Sequence, residues 1–389
     1  MRPAADHRNF WLLVALGGAV TAVGLAAAHA MEEQGHAITG MTNQVVWGLP
    51  HVFAIFMIVA ASGVLNVASI GSVFGQPAYK PRAPLSGLLC LALLAGGLMV
   101  LMLDLGRPER VIVAATHYNW TSVFAWNVFL YSGMAAIVLV YLLTLFERRL
   151  NGHTRAAGIA ALVWRFVLTS GTGSIFGFLV ARQAYQSALL APLFVVLSFG
   201  WGLAVFLIVQ ATMFRWSGQA LDPALQRRLA RLLGIFVGAS LYLVAVYHVT
   251  NLYYARQVEF AAFILRDGGA YPLLFWVGFV AIGSLLPMLL LFVRGAGGRS
   301  VFAAALLVVI GAFAWLYVFI IGGQAFPLEI FPGHVATSSF GDGAIARYAP
   351  SWPEFGLGVG GLGAAFLFTL VGVRAFDFMP CDDLVAAPH

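Results

Sequence analysis

Residues 84–104 read PLSGLLCLALLAGGLMVLMLD, an apolar run in which Asp104 is the first charged side chain. An α-helix rises about 1.5 Å per residue, so about 20 apolar residues cross the hydrocarbon core of a bilayer, which is roughly 30 Å thick. The segment therefore predicts a transmembrane helix that ends at an ionisable residue.

Further segments of the chain are apolar over a similar length. Hydrophobic residues make up 61% of the 389 residues and charged residues only 9%, which is typical of a polytopic α-helical membrane protein. A β-barrel would need strands of about ten residues that alternate polar and apolar side chains, and these runs are continuously apolar for longer. The sequence predicts an all-α integral membrane protein of about ten transmembrane helices, near residues 10–30, 44–70, 84–104, 121–146, 158–181, 189–214, 229–255, 270–294, 299–322 and 354–378.

The net charge of +6 and the isoelectric point near 9.5 are compatible with nucleic-acid binding, but the basic residues follow the loops of a membrane protein. With ten spans, both termini and every second loop share one face, and most of the 21 Lys and Arg residues fall there. The positive-inside rule then predicts cytoplasmic termini in a bacterial inner membrane. We therefore expect the lipid bilayer as the surroundings of the chain, and no nucleic-acid partner.

Arg2 and Arg8 precede the first apolar run, which closes on small residues in the manner of a secretory signal peptide. The run is about 20 residues long, whereas the apolar region of a signal peptide has about 7–15 residues. We therefore expect a retained first transmembrane helix.

The chain has two cysteines, Cys90 and Cys381. An iron–sulfur cluster usually has four Cys ligands, so we expect none here. The histidines predicted inside the membrane, His51 and His248, lie near the same end of the bilayer, so we also expect no haem and no metal site. Electrons for a redox reaction would then come from another subunit.

Ionisable and polar residues gather at the non-cytoplasmic ends of the predicted spans. Such residues cost about 2.5–3.5 kcal/mol at a helix centre, so a cluster of them indicates function, although each one singly has a structural interpretation as a cap or a snorkelling side chain. Histidine and carboxylate groups can exchange protons with the two oxygens of a quinone. The candidate quinone-binding residues are His29, His51, Asp104, Arg107, Arg182, Tyr185 and His248.

Two of these residues, Asp104 and Arg107, stand three positions apart at the end of the third span, and Pro108 follows. Residues at i and i+3 on a helix face each other, so the spacing predicts an ion pair. The alternative interpretation is a structural cap that holds the turn.

A second set of polar residues lies in the fifth span. Arg165, Thr169 and Thr172 recur at near-helical spacing and suggest a proton route from the cytoplasm. The alternative is an Arg that snorkels to the interface, with hydroxyls bonded to their own backbone.

The longest loop, residues 323–353, contains several Pro and Gly residues together with Glu329, His334, Asp342 and Arg347. Loops of this length are often functional, so we expect a docking surface there, and a disordered connector is the alternative. The following motif, residues 348–355, reads YAPSWPEF, and its prolines and Glu354 suit a rigid start of the last helix.

The runs LDLGRP at residues 103–108 and YAPSWPEF closely resemble signature segments of the NrfD/PsrC family of membrane subunits. The segments WGLPH at residues 47–51 and QAFPL at residues 324–328 look most like the ten-span branch that contains DsrP of the DsrMKJOP sulfur-metabolism complex, with HybB more distant. The resemblance extends over nearly the whole chain.

This resemblance implies a cofactor-free subunit that binds quinone, either menaquinone or ubiquinone. It implies a periplasmic ferredoxin-like iron–sulfur subunit as the electron partner, with a cytochrome and a catalytic subunit beyond it. It also implies two four-helix bundles, residues 44–181 with the quinone site and residues 189–322, flanked by the first and last helices. His51, Asp104 and Arg107 would act on the quinone, the last two as an ion pair at the mouth of the site.

Two other classes of protein fit parts of the pattern. Secondary transporters also have about ten spans with Gly- or Pro-interrupted helices, but their sites lie near the midplane, where this sequence has few ionisable groups. A purely structural membrane anchor would have no quinone site at all.

Overall fold

The structure, a computed structural model, describes residues 4–219, 221–293, 297–328, 331 and 343–376. Ten helices in these ranges are long and apolar enough to cross a membrane, and the same ranges contain no strand. The predicted fold class, an all-α integral membrane protein with about ten transmembrane helices, is confirmed. The helices are α1 (Ala4–Gln34), α2 (Leu49–Ser72), α3 (Ala83–Leu103), α4 (Val123–Phe146), α5 (Thr154–Gly177), α6 (Leu190–Ser217), α7 (Pro223–Tyr253), α8 (Ala270–Phe292), α9 (Gly298–Ala325) and α10 (Trp352–Ala375).

Helix α2 lies at the centre of the molecule. It is apolar around most of its circumference and almost completely buried, because α3, α5, α6 and α10 pack around it. A Cβ atom on Gly63 of α2 would lie 1.6 Å from the carbonyl oxygen of Ser198 in α6, so only glycine permits this close approach.

The remaining contacts arrange the helices around this centre. Helices α2 to α5 pack in a ring, helices α6 to α9 pack in a second ring, and α2 and α5 join the two rings through α6. Helix α1 packs along α10, which in turn covers α3 and α2. These contacts support the division into bundles at residues 44–181 and 189–322, which stays a prediction.

Helix α2 begins at Leu49, later than the predicted start at residue 44. Pro50 lies in its first turn, where the missing backbone N–H costs nothing. The preceding residues run outside the helix, and their backbone groups bond to other parts of the molecule. This non-helical segment, residues 40–48, forms one side of the candidate site.

Two helices contain π-helical stretches, Leu274–Leu285 in α8 and Tyr317–Gly322 in α9. A short helix, Val111–Thr116, lies between α3 and α4, and another, Val258–Ala262, lies between α7 and α8. In the predicted docking loop, Glu329, His334 and Asp342 lie outside the described residues, as does Cys381. The described end of that loop, residues 343–351, packs against the segment that precedes α2.

Candidate functional site

Asp104 is the residue that caps the C-terminus of α3. Its backbone N–H still donates to the carbonyl oxygen of Val100 at 3.1 Å, and its side chain is only 1% exposed. The backbone leaves the helix because Gly106 has a φ of +69°, in the left-handed region that favours glycine. The carboxylate therefore lies at the end of a transmembrane helix but away from water.

Two histidines flank this carboxylate. The Nδ1 atom of His51, in the first turn of α2, lies 2.8 Å from Asp104 Oδ2. The Nε2 atom of His36, just beyond α1, lies 3.8 Å from Asp104 Oδ1 and 3.1 Å from its backbone oxygen. One buried carboxylate therefore lies beside two imidazole rings, one in the first turn of α2 and one just beyond α1.

The electrostatics of this group follow from its contacts. Hydrogen bonding to Asp104 raises the pKa of His36 above its ordinary value of 6.5, although burial opposes the shift. Burial raises the pKa of Asp104, but polar contacts with His36 and His51 and their charges outweigh it, so the pKa falls below 3.8. The carboxylate is therefore ionised at neutral pH, ready to stabilise positive charge on either ring.

The predicted ion pair between Asp104 and Arg107 is wrong. Helix α3 ends at Leu103, and the turn at Gly106 removes Arg107 from the helical register that the prediction required. Its side chain is exposed, and no ion pair joins it to Asp104 in the structure. The partners of Asp104 are histidines that are distant in sequence.

Trp47 forms an aromatic wall beside His51. The two rings are stacked with their centroids 6.1 Å apart and their planes at 28°. The indole also contacts Phe124 of α4, Phe176 of α5 and Tyr185, with centroid distances of 6.2, 5.5 and 6.5 Å. An aromatic surface therefore continues from the His51 ring towards α4.

Gln324, at the end of α9, holds the backbone of this segment. Its Oε1 atom accepts hydrogen bonds from the amides of Val46 and Trp47 at 3.1 and 3.0 Å. Its Nε2 atom donates to the carbonyl oxygens of Trp47 and Ile320, both at 2.9 Å. The amide is fully buried, and all four of its hydrogen-bonding positions are used.

Arg182 and Tyr185 also bind backbone oxygens, one in the segment before α2 and the others in α9. Arg182 donates to the backbone oxygens of Gln44 at 2.7 Å and Gln324 at 3.2 Å. The Tyr185 hydroxyl donates to Phe319 and Ile320, whose carbonyls lie in the π-helical stretch of α9. Burial raises the pKa of Tyr185, so the phenol keeps the proton that it donates.

Glu354 holds the other end of the segment. It is fully buried in the first turn of α10, where its carboxylate accepts from the Tyr348 hydroxyl at 2.6 Å and from the amides of Gly40 and Ser351 at 2.8 Å. The Tyr348 oxygen accepts in turn from the amide of Leu49 at 2.7 Å. These bonds agree with the structural interpretation of the motif at residues 348–355.

The predicted site residues divide into two sets. His51, Asp104, Arg182 and Tyr185 lie in one region around Trp47, whereas three others do not. His29 pairs with Glu33 on the exposed surface of α1 at 3.3 Å, and Arg107 is exposed. His248 is buried in α7, and its ring contacts are with Tyr247 and Phe275 rather than with Trp47.

The residues of the predicted proton route have local partners. Arg165 is buried in α5, where it donates to Asn66 Oδ1 at 2.7 Å and to the Ser62 carbonyl at 3.3 Å, so it does not snorkel. The hydroxyls of Thr169 and Thr172 donate to backbone carbonyls one turn earlier, at 2.7 and 3.0 Å, which is the alternative interpretation of these hydroxyls. The route itself stays a prediction.

Sequence reasoning missed His36 as a member of this group. The available signal was its position just after α1, on the same predicted face as Asp104. Sequence spacing says nothing about a contact between residues 68 positions apart, so the signal did not distinguish it from other loop histidines. Within the described part of the protein, no group of His, Cys, Asp or Glu side chains has the arrangement of metal ligands.

A comparison with protein-family models matches residues 37–328 to the polysulphide reductase NrfD family. The chain belongs to the NrfD family. The resemblance inferred from the sequence motifs is thereby confirmed, while the DsrP branch stays a prediction. The matched range includes Trp47, His51, Asp104 and Gln324 of this NrfD-family protein.

Several curated relatives are similar over most of their length. The chain is 31% identical over 382 residues to the Hdr-like menaquinol oxidoreductase integral membrane subunit of Archaeoglobus fulgidus, which covers 96% of this sequence and 95% of that protein. It is 27% identical to a putative membrane subunit of dimethyl sulfoxide reductase from Halobacterium salinarum, covering 90% and 88%. It is 24% identical to the protein NrfD of Escherichia coli, covering 72% and 96%. The NrfD-family protein is thus a multi-pass integral membrane protein similar to membrane subunits of redox enzymes.

Proposed function

We propose that this protein is the quinone-exchanging membrane subunit of a multi-subunit oxidoreductase. The observation that carries the proposal is the buried Asp104 carboxylate, 2.8 Å from the His51 ring. The names of two relatives support it, since they describe membrane subunits of a menaquinol oxidoreductase and a dimethyl sulfoxide reductase. The reaction is the interconversion of quinol with quinone, two electrons and two protons.

Asp104 orients the ring that exchanges a proton with the quinone. The Nδ1 atom of His51 is fully buried beside the carboxylate, and Nε2 is the ring nitrogen left for the quinone. In quinol oxidation, an O–H bond breaks and Nε2 takes the proton, and the ionised carboxylate stabilises the resulting imidazolium. The reverse transfer protonates the product of quinone reduction.

Trp47 provides the surface on which the quinone ring rests. A quinone head group is flat and largely apolar, and aromatic rings stack in offset arrangements with such groups. Trp47 already stacks with His51, so a ring placed along the same wall lies next to the proton-exchanging nitrogen. Phe124, which is 49% exposed on α4, continues this wall to the outer surface of the molecule.

The electrons pass to or from a partner. The sequence has only two cysteines, so a ferredoxin-like iron–sulfur subunit on the face of Asp104 is the partner that we propose, with a cytochrome and a catalytic subunit beyond it. We place the protein in a bacterial inner membrane with cytoplasmic termini and its site on the periplasmic side. A sulfur-metabolism complex of the DsrMKJOP type is the assembly that the sequence motifs favour.

The test is binding of a hydroxyquinoline N-oxide, a fluorescent quinol analogue, to the purified protein. We expect saturable binding that His51→Gln and Asp104→Asn each weaken about tenfold, which corresponds to the loss of one good polar contact. The matched control is Asp267→Asn, since Asp267 pairs with Arg266 on the exposed surface. An optical spectrum of the same sample checks for haem.

The outcomes separate the candidate functions. Binding that responds to Asp104 and His51 but not to Asp267 supports the quinone site. A folded protein without saturable binding contradicts the proposal and favours a structural anchor.

A further inference from the structure

His36 connects the buried carboxylate to the aqueous side of the molecule. It lies in the 3-10 turn His36–Ile38 that follows α1, and its side chain is 33% exposed. The His51 side chain is 17% exposed and that of Asp104 only 1%. Of the three residues in this group, His36 therefore has the greatest access to water.

The surrounding residues place the His36 ring against the end of α3. Its Nε2 atom lies 3.1 Å from the Asp104 carbonyl oxygen and 3.8 Å from the carboxylate. A Cβ atom on Gly106 would lie 3.0 Å from His36 Cε1, so a glycine leaves room for the ring at this turn. The contact thus depends on both the turn and the carboxylate.

Few other ionisable groups influence His36. Asp104 faces it from the end of α3, and the charge of Glu354 acts on it from the start of α10. The Glu354 carboxylate is already occupied by Tyr348, Gly40 and Ser351. On α1 itself, Glu33 pairs with His29. Asp104 is therefore the group with which His36 can exchange a proton.

We propose that His36 carries protons between the buried Asp104–His51 pair and water during quinone turnover. The inference rests on the proposed function. During quinol oxidation, His51 receives a quinol proton at Nε2 and gives its Nδ1 proton to Asp104. His36 starts as an imidazolium whose Nε2–H faces the Asp104 carbonyl oxygen, and its Nδ1–H bond breaks to release a proton to water when Asp104 becomes neutral. Rotation of the neutral His36 ring then turns the vacant Nδ1 towards Asp104, whose O–H bond breaks as the Nδ1–H bond forms again. The neutral His51 ring returns to its Nδ1–H tautomer before it takes the second quinol proton, and quinone reduction uses the same steps in reverse.

The protonation equilibrium of His36 suits this task. A proton carrier is most efficient when its pKa lies near the working pH, because both forms are then populated. Contact with Asp104 shifts the pKa of His36 upward from 6.5. The ring therefore holds a proton readily when the carboxylate is ionised and gives it up once the negative charge is neutralised.

The test is quinol oxidation by the intact complex of His36→Ala, with a soluble dye as electron acceptor and with imidazole added to the medium. We expect the rate to fall about 10²-fold, as is typical for loss of a proton-transfer group, and free imidazole to restore much of it in a pH-dependent manner. Affinity for the hydroxyquinoline N-oxide should stay within about threefold of wild type, since His51 and Trp47 are untouched. The matched control is His117→Ala, an exposed histidine in the loop between α3 and α4.

Each outcome has a definite meaning. A wild-type rate for His36→Ala, or a slow rate that imidazole does not raise, overturns the proton-carrier role. In the second case, a parallel loss of analogue binding identifies a structural role for the ring. If the wild-type protein itself neither binds the analogue nor supports quinol oxidation, the proposed function fails and this inference fails with it.

Discussion

Gln324 and Trp47 are joined by two hydrogen bonds of opposite direction. The Gln324 side chain accepts from the Trp47 amide at 3.0 Å and donates to the Trp47 carbonyl at 2.9 Å. A side chain at the end of α9 thereby replaces the backbone partner that a helix would have supplied. The segment before α2 stays non-helical, and it presents the Trp47 ring to His51.

Replacing Gln324 by Leu should loosen this segment. The change removes the partner of the Val46 and Trp47 amides and of the Trp47 carbonyl, which lie in a part-buried segment, at a cost of up to about 1–3 kcal/mol for each group. Amide hydrogen exchange at Val46 and Trp47 should accelerate at least about tenfold, and affinity for the quinol analogue should fall. The control is Gln210→Leu, because Gln210 is equally buried in α6 but its Nε2 atom has no partner among the described residues. Equal exchange rates in both variants would contradict the role of Gln324.

Replacing Gly106 by Ala should cost about 1–2 kcal/mol of stability, because an L-residue is strained at a φ of +69°. The added Cβ would also press on the His36 ring at 3.0 Å. Gly218 has the same φ but open space around it, so Gly218→Ala should have the backbone cost alone. Both variants should therefore unfold at a lower temperature, Gly106→Ala by at least as much as Gly218→Ala, while quinol oxidation should fall only in Gly106→Ala. Loss of activity in both would show that backbone strain, not the His36 contact, is responsible.

Stability should depend on pH through His36 and Asp104. The pKa of His36 is raised in the folded protein, so its contribution is complete below about pH 6.5 and is lost as the pH rises through the raised value. The pKa of Asp104 is lowered, so its contribution is complete above about pH 4 and is lost as the pH falls through the lowered value. The unfolding temperature in detergent should therefore decline as the pH rises above about 6.5, and His36→Gln should flatten this decline. An unchanged slope in the variant would contradict the pairing.

Replacing Glu354 by Ala should destabilise the protein by about 2–4 kcal/mol, because Tyr348 and two backbone amides lose a buried charged acceptor. Glu354→Gln should cost less, since its carbonyl oxygen still accepts. The control is Glu33→Gln, whose side chain is 65% exposed and should change stability by less than about 0.5 kcal/mol. Unfolding temperatures in the same detergent measure all three variants, and equal values for Glu354→Ala and Glu33→Gln would contradict the role of Glu354.

Arg165 and Asn66 should behave as a coupled pair. Asn66→Leu alone leaves the buried guanidinium without its acceptor at 2.7 Å, whereas the double variant with Arg165→Met removes the charge as well. We therefore expect the double variant to be more stable than Asn66→Leu by about 1–3 kcal/mol.

Proton uptake by Arg165→Met in vesicles tests the predicted proton route through α5, and an unchanged uptake would count against it.

Part of the candidate site could be predicted from the sequence. His51 and Asp104 were identified because ionisable residues at membrane depth are rare and expensive. Arg182 and Tyr185 were identified for the same reason, but they act on backbone carbonyls rather than at the carboxylate. The pairing of Asp104 with Arg107 was predicted wrongly, because the rule for i and i+3 holds only while the helix continues.

The sequence by itself determined the ten apolar spans, the family and the end of the spans at which the ionisable residues lie. Each of these properties depends on the order of residues along the chain, because helix length and the cost of a charge in hydrocarbon are local quantities. Only the tertiary structure decided that His36, His51 and Asp104 meet and that Gln324 holds Trp47. These contacts join residues at the ends of α1, α2, α3 and α9. They depend on where each helix begins or ends and on how the helices pack against each other. A local sequence pattern contains neither kind of information.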